Sequence, residues 1–169
     1  MNYIIETLKS CWLLLLCLIV ARFIGFPANF TPILACAVFL PFMTNNKYIQ
    51  MFLPVGILII TDPFLGLYSE MPVVYFCIIA ASIISSLFKN YNYKNMIFSG
   101  LISVGIWHIL VNFAVWMSGI NSISLSATYI AAIPFDFRLM LSTIIFSTLF
   151  YIARQFFKKL STSLFYITK

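Results

Sequence analysis

From about residue 10 onward the chain alternates long apolar blocks with short polar connections. A helix that is hydrophobic all round belongs in a protein core or in a bilayer. About 20 residues span roughly 30 Å of hydrocarbon. On that measure the pattern predicts helices at about 10–26, 31–46, 48–68, 72–88, 96–118 and 133–157. The second block is short and carries Pro41, but its start is well marked, with Thr31 as N-cap and Pro32 at the first helical position. Pro63 and Pro134 are expected to bend or begin helices, with neighbouring helices satisfying the freed carbonyls.

Composition agrees with this pattern. Hydrophobic residues make up 63% of the 169 positions and aromatic residues 18%, charged residues only 8%, and the mean hydropathy is +1.04. A soluble domain does not have these values. The expectation is an all-α membrane protein in which residues 1–169 form one transmembrane domain, a six-helix bundle. The net charge of +6 comes from basic residues scattered over the connections and the tail, which excludes a nucleic-acid-binding face. Cys11, Cys17, Cys36 and Cys77 all fall within expected spans without metal-type spacing, so they read as buried structural thiols. Lys9 ahead of the run Cys11 to Ala21 has the look of a signal peptide, but no small-x-small site follows, and the run is kept as the first span.

With six spans and a cytoplasmic N-terminus, Lys9, Lys47, Lys89, Lys94, Arg154, Lys158, Lys159 and Lys169 are all cytoplasmic, leaving Arg22 and Arg138 on the far side. A five-span topology with 31–46 re-entrant merely exchanges Lys9 for Arg22, so charge alone does not separate the two. Six is preferred because the capped second helix can cross with modest thinning of the bilayer. The expected location is the inner membrane, multi-pass, with both termini cytoplasmic. The tail from Arg154 onward could lie along anionic lipid.

Charge inside apolar runs is costly and marks function or a buried pair. Counting about 1.5 Å per residue from the cytoplasmic ends puts Arg22 and His108 about 18 Å up, Asp62 about 21 Å and Asn112 about 24 Å. Asp136 and Arg138 fall just below the outer surface, and Asn29, Tyr68, Glu70, Asn121 and Tyr129 lie on the outer connections. Gly105, His108, Asn112 and Trp116 share a stripe expected to face the bundle. Asn112 reads equally as helix packing or ligand contact, and His108 as an interior histidine with its partner. Asp136 and Arg138, two residues apart, cannot face one pocket together. Asp62, next to Pro63, reads equally as a ligand contact and as the buried partner of Arg22, which lies within about one helical turn in depth, and the two readings are compatible. No phosphate-binding glycine loop, HExxH or GxSxG motif occurs, and one histidine leaves few candidates for acid–base chemistry.

Several blocks carry a family resemblance. Arg22 is followed by Pro27-Ala28-Asn29-Phe30-Thr31-Pro32, and then by Thr61-Asp62-Pro63-Phe64-Leu65-Gly66-Leu67-Tyr68. Asn112-Phe113-Ala114-Val115-Trp116 with Ser118-Gly119, and Tyr129-Ile130-Ala131-Ala132-Ile133-Pro134-Phe135, come later in the same order. The sequence resembles a family of small bacterial membrane proteins catalogued as a domain of unknown function. That family is in turn similar in architecture to the substrate-binding S components of energy-coupling factor transporters. The resemblance implies a vitamin-, corrinoid- or metal-sized ligand near the outer face, and a cytoplasmic-side surface that docks on a transmembrane coupling subunit with its ATPases. The chain departs from its relatives in three places: the short connection from Gly119 to Thr128, Leu40-Pro41 in place of glycines, and Ser142-Thr143 in place of an acid.

The expected function is therefore a substrate-binding or transport subunit without chemistry of its own and without a cofactor. Its partners would be a small-molecule substrate and membrane lipid, and nucleic acid is not among them. The candidate substrate-binding residues are Arg22, Asn29, Asp62, Tyr68, His108, Asn112, Trp116 and Tyr129, with no catalytic residue. A non-catalytic assembly or lipid-contacting subunit is the alternative. An intramembrane enzyme using Asp62 or His108 as proton carrier comes third.

Overall fold

The sequence from Ile33 to Met43 is apolar on every side, and in the structure, a computed structural model, every residue from Ile33 to Phe42 is buried. This short helix, α2, is the axis around which the others pack. The structure describes residues 14–88, 90, 92–119 and 122–167, with side chains through 156. Around α2 stand α1, whose described part is Leu14–Phe23, α3 (Lys47–Leu65), α4 (Met71–Ser86), α5 (Tyr93–Met117) and α6 (Leu125–Ile167). The described fold is all-helical, with six helices. Of these, α3, α5 and α6 are long and apolar enough to cross a membrane.

Side-chain bonds fix the up-and-down course of the chain. Arg22 reaches Asp62, and Asn29 reaches Asp136, at one end. Gln50 meets Ser82, Val38 meets Ser85 and Tyr93 meets Thr148 toward the other. Asparagine caps start two helices at that second end. Asn46 accepts from the backbone N–H of Tyr48 at 3.0 Å, and Asn92 from Asn95 at 2.9 Å.

Two helices depart most from the sequence expectation, α2 by its length and α6 by its early start and by running on to Ile167, past the expected end at 157. With 11 residues, α2 is about 16 Å long, too short to cross the hydrocarbon alone. An apolar block of that size is also what a core helix looks like, since protein rather than lipid can cover it. Pro32, not Thr31, stands at its N-cap position, and Thr31 Oγ1 accepts from Ile33 N–H at 3.4 Å. Helix α6 begins at Leu125, eight residues early, and Pro134 lies inside it rather than starting it. Ser124 supplies the earlier start by accepting from Ala127 N–H at 3.3 Å.

A proline inside a helix leaves the carbonyl four residues back without its N–H. Pro41 frees that of Ala37 and Pro54 that of Gln50, and one side chain, Ser82 of α4, approaches both, at 3.1 and 2.7 Å. Its single proton is shared between them. Ser85 donates to the neighbouring Val38 carbonyl at 2.6 Å. Small residues also bring α5 against α6, where a Cβ on Gly100 would lie 3.1 Å from Thr143 Cγ2. Farther up, Phe26 and Phe30 from the α1–α2 connection pack edge-to-face against Phe146 of α6, at 6.3 and 5.8 Å between centroids, and pin that connection over the bundle.

Candidate functional site

Arg22, near the end of α1, lies where its guanidinium meets the last turn of α3. Its Nε–H donates to Thr61 Oγ1 at 3.2 Å, and its Nη2 pairs with Asp62 Oδ1. The other carboxylate oxygen of Asp62 accepts from the Tyr75 hydroxyl of α4 at 2.8 Å. Asp62 is 1% exposed, and both its oxygens are engaged. Of the two readings the sequence left open for this acid, the paired one is realised: a buried carboxylate sits between an arginine and a phenol from separate helices.

A second polar group is centred on Asp136. Its Oδ2 accepts from His108 Nδ1 and from Asn112 Nδ2, each at 2.8 Å, and its Oδ1 is 3.4 Å from Asn29 Nδ2. Because a carboxylate only accepts, Nδ1 of His108 carries the proton in this arrangement. Asn112 gives its second N–H to the His108 carbonyl at 2.8 Å. Asn29 reaches Asp136 because its backbone takes a φ of +64°, a conformation asparagine tolerates better than most residues. The Tyr129 ring lies 5.3 Å from that of His108, while its hydroxyl donates to the Ile109 carbonyl at 2.8 Å. Asp136 and Arg138 do diverge: the acid is buried, whereas Arg138 is exposed with its guanidinium 5.4 Å from the Phe135 ring centroid.

Between these two groups opens a cavity of about 410 Å³. Its floor is apolar, from Leu34, Leu58, Ile78 and Leu139, and its walls include Arg22, Asn29, Trp107 and Val111. Tyr68 and Glu70, on the α3–α4 connection, stand at the mouth with the Phe26–Phe30 segment. Partial desolvation, followed by the charge of Asp62, pushes the Tyr68 phenol above its ordinary value, while Arg22 pulls the other way. It therefore stays a neutral donor at physiological pH.

Three of the eight candidate residues, Arg22, Asn29 and Tyr68, line this cavity. Asp62 stands behind Arg22 and is absent from the wall. Asn112 lines a separate hollow of about 180 Å³ with Thr128 and Phe135, and His108 and Tyr129 line neither. The shared stripe on α5 splits, because Asn112 is buried while Trp116 is 40% exposed and stacks on Phe113 of its own helix. Trp116 thus faces outward. Cys36 and Cys77 are buried as expected, but Cys17 is exposed on the outer side of α1. Cys11 and Asn121 lie outside the described residues. Sequence reasoning passed over Thr61, Tyr75 and Trp107; a tyrosine in an apolar helix needs a partner for its hydroxyl, and that signal pointed to Tyr75.

Among the described residues no group of three His, Cys, Asp or Glu side chains is placed to hold a metal ion. Hydrogen-bond donors and aromatic faces around an apolar hollow suit non-covalent capture of a small molecule. No curated protein and no solved structure matches the chain, so the likeness to S components has no structural match behind it. The profile of one family matches residues 4–164, nearly the whole length, and the chain belongs to that family of unknown function, DUF6580.

Proposed function

We propose that this protein is a membrane-embedded subunit that captures a small solute in the cavity between Arg22, Asn29, Tyr68 and Trp107 and performs no chemistry on it. The carrying observation is the cavity itself. Its volume of about 410 Å³ falls within the roughly 300–1,000 Å³ typical of small-molecule sites. It is too small to enclose a corrinoid, which narrows the solute to vitamin or nucleobase size. In this reading all six helices lie in the bilayer, α2 shielded by its neighbours, with the cavity mouth outside the cytoplasm and both termini inside. The basic opposite end would face a coupling subunit with its ATPases.

A second reading, a non-catalytic assembly subunit, is favoured by the full pairing of Asp62 and by the mutual bonding of His108, Asn112 and Asp136. Buried polar groups of this kind can serve only to register helices. Thermal unfolding of the purified protein against vitamins, nucleobases, a corrinoid and metal salts separates the two. Solute capture predicts a raised Tm with at least one vitamin or nucleobase and none with the corrinoid. No shift with any compound, together with co-purification of another membrane complex, would establish the second reading instead.

A further inference from the structure

The charges around the cavity do not cancel. Arg22 and Asp62 neutralise each other, and Arg138, the other described cation at that end, points outward over Phe135. Glu70 remains. Its carboxylate is half-buried at the mouth and accepts from Ser69 Oγ at 2.6 Å, and no basic group forms an ion pair with it among the described residues. Its place at the start of α4 makes a negative charge tolerable there. That placement supplies no counter-ion.

Asp136, the third acid at that end, is met by His108 and by the amides of Asn29 and Asn112, so Glu70 is the acid there with no cationic or imidazole partner among the described residues. The other described basic side chains, Lys47, Lys94 and Arg154, lie toward the opposite end. Aromatic faces line the same cavity: Phe26, Phe30, Tyr68 and Trp107. Ring faces are electron-rich and attract cations, more strongly where water is excluded. A tightly held inorganic cation is usually met by several converging charged or imidazole ligands, and no group of three His, Cys, Asp or Glu side chains occurs among the described residues.

We propose that the solute is a small organic cation, an ammonium or similar charged nitrogen on an apolar or aromatic body. Its head lies by Glu70 and the Tyr68 hydroxyl, and its body lies on the ring faces of Trp107 and the Phe26–Phe30 segment. This rests on the solute-capture reading and adds the sign of the charge.

The test is equilibrium binding to the full chain in lipid nanodiscs of three probes of similar size: benzyltrimethylammonium, phenylacetate and phenylacetamide. Benzyltrimethylammonium is expected to bind at least tenfold more tightly than phenylacetate. Glu70→Gln should weaken it about tenfold and Glu70→Asp much less, with Tm unchanged in both variants. Phenylacetate or phenylacetamide binding as well as the cation, and lost on blocking the mouth with Ala28→Trp, would overturn the charge assignment while leaving solute capture standing. Binding of benzyltrimethylammonium that is indifferent to Glu70→Gln would also overturn it. No binding of any probe would overturn the organic-cation assignment, and solute capture is then judged by the vitamin and nucleobase panel alone.

Discussion

Asp62 owes its burial to two partners, and each partner has a separate energetic signature. Removing the carboxylate by Asp62→Ala leaves the Arg22 guanidinium, 21% exposed on the cavity wall, with Thr61 alone, and breaking the pair from one side should cost about 3 kcal/mol, the low end for buried pairs. Removing both, with Arg22→Met and Asp62→Leu, takes away the unpaired charge and should recover most of that loss. Thermal unfolding of the single and double variants in detergent measures the difference. Equal loss in the double and single variants would contradict the pairing. Tyr75→Phe deletes one hydrogen bond to a charged acceptor and should cost about 1–3 kcal/mol. The depth argument from sequence brought Arg22 and Asp62 to one level, since a helix rises by a fixed amount per residue. It did not bring in Tyr75 or separate Asp62 from the cavity wall, because both depend on how α3 and α4 rotate about their own axes, and uniformly apolar helices carry no periodicity that fixes rotation.

At the scale of elements, the prolines show how the bundle tolerates broken helices. Ser82→Ala would strip the Ala37 and Gln50 carbonyls of their one donor in a buried setting, a loss of about 1–3 kcal/mol. In a background carrying Pro41→Ala and Pro54→Ala, backbone N–H groups return to both carbonyls, and the same substitution should cost less than half as much. Comparison of unfolding midpoints around this cycle checks the coupling. Gly100→Leu would force side-chain atoms into Thr143 and separate α5 from α6, with an overpacking cost of about 1–3 kcal/mol, and Gly100→Ala, whose Cβ alone presses on Thr143, should cost less. Helix α2 is where pattern reading reached its limit. Its apolar block was visible in the sequence, but lipid and protein are equally apolar surroundings, so the block could not say which of them covers it. The early start of α6 was missed for another reason: Ser124 caps it from within a polar stretch that hydropathy reads as loop.

For the whole molecule, the polarity of charge is the feature that a topology experiment can check. The acids and the cavity stand at one end, the described lysines and Arg154 at the other, and membrane proteins keep such basic ends in the cytoplasm. A cysteine introduced at Ser69, in a background lacking the exposed Cys17, should react with an impermeant thiol reagent added outside intact cells, and one introduced at Asn90 should react only after permeabilisation. The reverse pattern would turn the cavity toward the cytoplasm. Solute capture itself is tested most directly by mass spectrometry of the small molecules released when protein purified from membranes is denatured. Wild type is predicted to release a compound small enough for the cavity, in near-stoichiometric amount, and Ala28→Trp, with the mouth filled and the fold intact, to release none. Identical small-molecule content in the two proteins would contradict capture at this site.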